Sequence, residues 1–589
     1  MTSIACRYGP PLSLVIMTLL ASTAMAAGRD RRNIRAGLRI PNEGYCDQPY
    51  IVITQDGHWL CTLTTGPGHE GQQGQHVVAT LSADQGRTWS DLIDIEPSAG
   101  PEASWVVPLV TPTGRVYAFY SYNGDEVRTL RGKKIRADMM GWYAFRYSDD
   151  GGRTWSKQRY RLPMRVTACD RSNDWKGKVI IFWGIDKPKI ANGSVYFAFT
   201  KLGKYMLDNG EGWMYRSDNL LVEQDVAKLH WELLPDGEHG LRAPSFGSVQ
   251  EEHNHISLSD DKTFYCVYRT TMGHPCHSYS SDAGHTWAPP EFMTYTPGGR
   301  RVKNPRACPK LWRTSNGKFL FWYHNHGGKS FKDRNPAWLT GGIEKNGRIH
   351  WAQPEILLYD DDVNVRMSYP DLVEQSGRYW VTETNKTTAR VHEIDSALIE
   401  GLWGQGQVKT VARDGLIGEL EPGAPQATEI RLPKRVDLAE TGGLSIDLWI
   451  TLKDLAAGQV IADSRTGDGA GILMTTTDNK TIRIDVSDGK AKATWDCDPG
   501  LLQAGKRHHV AAIVDAGPKT ITFVVDGVLC DGGEARQFGW GRFAKALGDV
   551  SGAGKLHVAP SLKGELQSLR VYDRYLRTSE AVANFHAGA

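Results

Sequence analysis

The sequence predicts an all-β protein, a six-bladed β-propeller followed by a β-sandwich. Three observations predict it. A phrase recurs, Ser82-Ala83-Asp84-Gln85-Gly86-Arg87-Thr88-Trp89, then Ser148-Asp149-Asp150-Gly151-Gly152-Arg153-Thr154-Trp155, then, one residue tighter, Ser281-Asp282-Ala283-Gly284-His285-Thr286-Trp287. A turn leading into an alternating strand also recurs, and it alternates in order with that phrase. From Ala439 the texture changes: short alternating strands continue and the repeated phrase does not appear.

The first residues form a targeting segment. Arg7 supplies the positive charge, Leu12 to Leu20 the apolar centre and Ala24-Met25-Ala26 a small-residue cleavage site. The apolar run is too short to span a bilayer. Residues 1–26 are therefore expected to be a cleaved signal peptide and the mature chain to be secreted or periplasmic. Lys and Arg total 69 against 67 Asp and Glu, a balance that gives no reason to expect nucleic acid or an anionic membrane as partner.

In the repeated phrase, Asp caps nearby backbone N–H groups, Gly accepts positive φ and the Trp is a large apolar plug. Weaker echoes end in His230-Trp231 and His350-Trp351. The five tryptophans fall roughly 55 to 75 residues apart, the size of a propeller blade. The turns are Asp56-Gly57, Thr113-Gly114, Asn192-Gly193, Asp260-Asp261, Asn316-Gly317 and Ser376-Gly377, each followed by apolar alternation. They are hairpin signals, and six of them imply six four-stranded blades over residues 39–405. Repeated hairpins in a sandwich are the competing arrangement; the regular alternation of turn and phrase favours the propeller.

Residues 406–438, with Gly, Pro and Glu and little periodicity, are expected to be a linker. Residues 439–589 carry strands such as Leu444–Ile450, Thr481–Val486 and Thr520–Val525. Cys497 and Cys530 lie in this late segment and could pair after export, and no Cys-x-x-Cys spacing indicates zinc.

The repeated phrases resemble the Asp boxes of the sialidase family. His508–Val514 followed by Val525-Asp526-Gly527, with the ending Gly564-Glu565-Leu566 and Leu569–Asp573, resembles laminin-G/concanavalin-type jelly rolls. The second resemblance implies a carbohydrate-contacting or purely structural appendage. The first implies an active site on the propeller axis, built from residues scattered at blade-sized intervals.

Four stretches are similar to functional elements of exo-sialidases. In Gln250-Glu251-Glu252-His253-Asn254-His255 leading to Tyr268-Arg269, the resemblance places the catalytic glutamate at Glu252 and a carboxylate-binding arginine at Arg269. In Arg366-Met367-Ser368-Tyr369-Pro370-Asp371 it makes Tyr369 the nucleophile. A free phenol titrates near pH 10, so it needs a base, the role left to Glu252. A neutral nucleophile suits an anomeric carbon bearing a carboxylate, and sialidases depart in this way from the two-carboxylate rule of glycosidases. Asp333-Arg334-Asn335 supplies a second arginine, apt because a guanidinium fork binds carboxylate bidentately. The fourth stretch departs from the pattern: Asp47, followed by Gln48, stands where the family has its first arginine. Arg39 or Lys187 could compensate, or Asp47 could grip sugar hydroxyls. Glu70 occupies the region of the family's acid/base aspartate, with His69 and His76 as alternative proton carriers. His253 and His255 share one strand face and could ligate a metal, but they read better as polar residues beside an active site.

The expectation is thus an exo-acting retaining hydrolase that releases a terminal acidic sugar from a glycan and needs no metal or organic cofactor. The rival expectations are a glycosidase or polysaccharide lyase acting on uronic or neutral sugars, and a non-catalytic glycan-binding protein.

Overall fold

The computed structural model describes residues 30–206, 208–244, 251–420, 428–432, 436–439 and 442–589. The expected signal peptide, residues 1–26, lies outside them. Among the described residues, those up to Glu393 form six antiparallel sheets of four or five strands. The first runs in chain order through Tyr45–Ile53, Trp59–Gly66, His76–Ser82 and Ile93–Asp94. The last is Leu372–Gln375, Arg378–Thr384 and Ala389–Glu393, and its outer strand is Leu38–Ile40, with Leu38 opposite Val391. One end of the chain thereby closes the other, and a β-propeller results.

Each predicted hairpin turn joins two strands of one sheet, as Asp56-Gly57 does between Tyr45–Ile53 and Trp59–Gly66. The repeated phrases lie between third and fourth strands and build one hydrogen-bond set. In the first, Ser82 Oγ donates to Asp84 Oδ1 at 2.8 Å and accepts from Gly86 N at 2.8 Å. Thr88 then donates to the same carboxylate through its backbone N at 2.8 Å and its hydroxyl at 2.7 Å. The set recurs around Asp150 and Asp282. In the third copy the serine is Ser280, not Ser281, so that copy keeps the full spacing and is not tighter.

Glycine is needed in these phrases for two reasons. Gly86, Gly152 and Gly284 have φ of 82°, 94° and 93°. A Cβ on Gly152 would lie 2.6 Å from Leu60 Cδ1, and one on Gly86 2.8 Å from Val391 Cγ1, both on the neighbouring sheet. The tryptophans of the weak echoes wedge between sheets: Trp231 lies 5.9 Å from Phe119 and 6.1 Å from Phe197. Close approach of turns and aromatic wedges together set the sheet spacing.

The second domain is a sandwich of a seven-stranded and a six-stranded sheet. Leu444, Ile446, Leu448 and Ile450 of one face Ile472, Met474, Ile484 and Val486 of the other across one core. The stretch 406–438 is not simply a linker. Leu416–Leu420 pairs with Gly564–Tyr572, and Glu429–Arg431 with Lys555–Val558, so it supplies one strand to each sheet. Strands this short and edge-placed carry too little periodicity to be read from sequence. Cys497 and Cys530 are both buried free thiols.

The repeated turns are expected to contribute to stability independently of the axis. Ser148→Ala removes the acceptor of the buried Gly152 N–H, and leaving such a donor unpaired costs about 1–3 kcal/mol. Urea unfolding should show that loss, and any activity at the axis should be unchanged.

Candidate active site

Inner strands of the propeller are buried on both faces, so their polar residues are conspicuous. Three of these strands carry the same irregularity. Pairing slips between Asp47 and Tyr50, between Ser104 and Val107, and between Glu251 and Asn254. Within each slip lies a residue in the left-handed region: Gln48 at φ 51°, Trp105 at 62° and Glu252 at 59°. Such bulges re-aim side chains, and non-glycine residues held at positive φ concentrate at functional sites. Tyr369, at φ 49°, joins them from the segment before the sixth sheet.

A cavity of about 330 Å³ opens where the sheets converge. Glu70, Trp105, Arg136, Trp183, Arg269, Arg306, Arg334, Arg366, Tyr369 and Lys386 are among its lining residues, and every one of the six sheets or its adjoining loops contributes. At its floor the Tyr369 hydroxyl donates to Glu252 Oε1 at 2.8 Å. Both side chains are buried, and Trp105 lies edge-on to the Tyr369 ring at 6.0 Å. Arg269 Nη2 pairs with Glu252 Oε1 at 2.7 Å and also with Glu251. Arg306 Nη2 pairs with the same Glu251 oxygen at 2.7 Å. Arg334 donates to Ser368 Oγ at 2.8 Å and to the Arg306 carbonyl at 3.2 Å. Neither Arg334 nor Arg366 is in an ion pair among the described residues, and Arg334 Nε is buried without a hydrogen-bond partner there. The cavity is therefore rich in cations, and two of them are not neutralised by ion pairing.

The predicted residues Tyr369, Glu252, Arg269 and Arg334 thus meet in one place, with Glu70 on the rim. Asp47 and Gln48 do not belong to the cavity. Asp47 is 1% exposed and accepts from the Tyr45 hydroxyl at 3.0 Å and from Lys386 Nζ at 2.5 Å. Gln48 is turned by its bulge to donate to the Gly184 carbonyl at 2.9 Å. Neither can touch a ligand there, which corrects the expectation that they bind substrate. Arg39 is exposed on its strand, Lys187 pairs with Asp371 at 2.7 Å, and neither lines the cavity. The cation beside Asp47 is Lys386. Its ammonium lies 3.2 Å from Glu70 Oε1 and 4.2 Å from the centre of the Tyr369 ring. A buried carboxylate at position 47 requires a counter-cation, but nothing in the sequence singles out the Asn385-Lys386-Thr387 turn as its source.

Burial, reinforced by Glu251 against the opposing Arg269 and Arg334, raises the pKa of Glu252 above the usual glutamate value. Burial and the adjacent Glu252 push the Tyr369 phenol well above 10, so it is neutral at rest. Two carboxylates share Lys386. Burial raises Asp47, whereas for Glu70 the same burial effect is outweighed by Lys386 and Arg136, which hold it at about 2. Arg136 Nη2 lies 3.2 Å from Glu70 and 2.7 Å from Asp138. Glu70 is consequently a carboxylate in the resting site, not a proton donor. His69 is exposed, and His76 is engaged by Glu43 at 2.7 Å and the Glu96 carbonyl at 2.9 Å, so His76 is not a free proton carrier. His255 faces Asp186 at 2.6 Å while His253 faces Thr200 at 2.8 Å, so the two imidazoles are committed to different partners.

Residues 102–381 match a family model described as a BNR repeat-like domain, and residues 425–582 one described as the concanavalin A-like lectin/glucanases superfamily. The first match lies in the propeller and the second in the sandwich. No curated protein sequence matches it significantly. Among solved structures, a Trypanosoma rangeli sialidase in complex with sialic acid is 12% identical, over 95% of this chain and 97% of that one, with a TM-score of 0.42. The Hadza microbial sialidase Hz136 is 15% identical, over 61% and 68%, with a TM-score of 0.43. A protein of unknown function from Dyadobacter fermentans is 13% identical, over 61% and 97%, with a TM-score of 0.44.

Lys386→Met should leave Asp47 as a buried unpaired carboxylate, a change that typically costs about 3–5 kcal/mol. Adding Asp47→Asn should recover much of that loss, which denaturant unfolding of the two variants and the wild type can measure. Acid sensitivity reports on Glu70, the other carboxylate beside Lys386. The depressed pKa of Glu70 contributes stability above its ordinary value of 4.5 that is lost as pH falls through about 2. Glu70→Gln should remove that part of the acid slope.

Proposed function

We propose that the protein is an exported, exo-acting retaining glycoside hydrolase of sialidase type, releasing a terminal acidic sugar from a glycan. The observation that carries this reading is the 2.8 Å hydrogen bond from the Tyr369 phenol to Glu252 at the floor of a cation-lined cavity. Arg269 and Arg334 hold the sugar carboxylate, with Arg366 free to add a third guanidinium. The Tyr369 oxygen attacks the anomeric carbon as its proton passes to Glu252 and the glycosidic C–O bond breaks. The neutral phenol approaches a carbon beside a carboxylate without the repulsion that an acidic nucleophile would meet. Water then cleaves the tyrosyl–sugar bond, giving a proton to Glu70 as the base that activates it, while Glu252 returns its proton to the departing Tyr369 oxygen. Protonating the leaving oxygen is the harder step for this chain. Glu70 can serve there only once the bound substrate draws Lys386 or Arg136 away and its pKa rises.

The ionised state of Glu70 also favours a second reading, a lyase acting on uronic sugars. There Tyr369 with Glu252 would remove the proton next to a carboxylate held by the arginines, and elimination would leave an unsaturated product.

Incubation with a panel of terminal α-linked acidic sugars separates the two. Release of the free sugar without an ultraviolet-absorbing product supports the hydrolase, and an unsaturated product overturns it. Tyr369→Phe should abolish release, and Glu252→Gln should lower it about 10²–10⁴-fold. Glu252 must be ionised to accept the proton. The acid limb of kcat/KM should therefore fall above the 4.5 of an ordinary glutamate, since burial raises this one. A limb at or below that value would remove Glu252 from the role of base.

A further inference from the structure

The connection between the sandwich strands Val528–Leu529 and Gly541–Arg542 reaches the propeller at two loops, and those loops carry two of the cavity's arginines. Lys303, nearly buried, donates to three carbonyls of this connection, Asp531 at 2.9 Å, Gly533 at 2.5 Å and Arg536 at 2.8 Å. Three residues later the chain reaches Arg306, whose guanidinium holds Glu251. The second loop, 324–336, is tied along its length. Trp540 Nε1 donates to the Asn325 carbonyl at 3.3 Å, and Gly327 N donates to the Gln537 carbonyl at 2.9 Å. The His326 and Phe538 rings stack at 4.7 Å, and the Arg542 guanidinium donates to the carbonyl of Asn335, the neighbour of Arg334. The two loops are also tied to each other, Arg306 N to the Ser330 carbonyl at 3.1 Å and Arg334 to the Arg306 carbonyl.

Neither loop belongs to a sheet of the propeller over these stretches; the propeller holds them through Asn304 N to the Gly273 carbonyl at 3.0 Å and Asn335 Nδ2 to the Asp360 carbonyl at 2.9 Å, and the sandwich adds the contacts above. The apolar core is continuous across this contact: Leu529, Trp540 and Val582 of the sandwich pack in one cluster with Tyr295, Tyr323 and Trp351 of the propeller. Trp540, Phe538 and Lys303 are spent on this junction.

We propose that the connection 530–540, with Arg542, is a positioning element of the cation-lined cavity. Through Lys303 it fixes the loop of Arg306 and through Arg542 the loop of Arg334, so that the sandwich completes the anion site of the propeller. Lys303 and Arg542 touch no ligand and act through the two arginines. The consequence for substrate binding rests on the reading of the cavity as a carboxylate site; the positioning itself does not.

The full chain and its variants Arg542→Ala, Lys303→Met and Phe538→Ala provide the test. Hydrogen exchange without ligand should rise in residues 303–307 and 324–336 of the variants and stay unchanged in the sheet Tyr45–Asp94. With the 4-nitrophenyl glycoside of N-acetylneuraminic acid as probe, KM should rise roughly tenfold or more, because misplacing a binding group by an ångström has effects of that order. The kcat value and the acid limb should move much less, and Arg542→Lys, which keeps a donor for the Asn335 carbonyl, should restore most of the wild-type KM. Folded variants with wild-type exchange in both loops, or with raised exchange and an unchanged KM, overturn the proposal. If Arg542→Ala does not fold, Phe538→Ala decides by the same two readouts. If the wild type cleaves no acidic sugar, the hydrolase reading fails, while the exchange measurement still decides the positioning.

Discussion

A carboxylate withdrawn from water must find a cation or take up a proton, and the hub of this propeller withdraws several at once. Glu251 and Glu252 are consecutive, both sealed, and Arg269 contacts both while Arg306 joins it on one oxygen of Glu251. In this arrangement Glu252 is left with a raised pKa and one oxygen committed to the Tyr369 hydroxyl. A more complete neutralisation would make it a poorer proton acceptor, and a weaker one would leave it protonated. The strained backbone of Glu252 and Tyr369 is tolerated because the surrounding sheets over-determine it.

Across the cavity the same rule operates with a different outcome. Asp47 and Glu70 share Lys386, and only Glu70 has a second cation in Arg136. The better-partnered carboxylate stays charged and the buried one is pushed toward neutrality. An aspartate at position 47 therefore does not place an unopposed negative charge beside the cavity. It anchors the lysine that lies over the Tyr369 ring, so this side of the site is cationic by a different route than an arginine on the same strand would provide.

The sandwich belongs to this electrostatic arrangement. Its main core is closed within its own two sheets, yet the connection 530–540 spends a tryptophan, a phenylalanine and three carbonyls on the propeller. An appendage that served only as a tether would have no reason to engage the two loops bearing Arg306 and Arg334.

Local chemistry sufficed for the architecture. Asp-Gly and Asn-Gly turns, the serine–aspartate–glycine–threonine phrase and its tryptophan are each dictated by short-range hydrogen bonds and φ preferences, and their spacing alone marks the sheets. Tyr369, Glu252, Arg269 and Arg334 were singled out only because their segments resemble the sialidase pattern; what the fold adds is that the four side chains meet at one cavity. The partner of Asp47 was not: Lys386 is 339 residues away in the chain, and only closure of the ring brings the two together. The bulges that aim Trp105 and Glu252 inward contain no glycine to announce them, and the two short strands within 406–438 exist only because the sandwich sheets offer them partners. Sequence alone determined which residue types were available for the chemistry. Tertiary structure decided their charge states, because those depend on burial and on partners that no local pattern encodes.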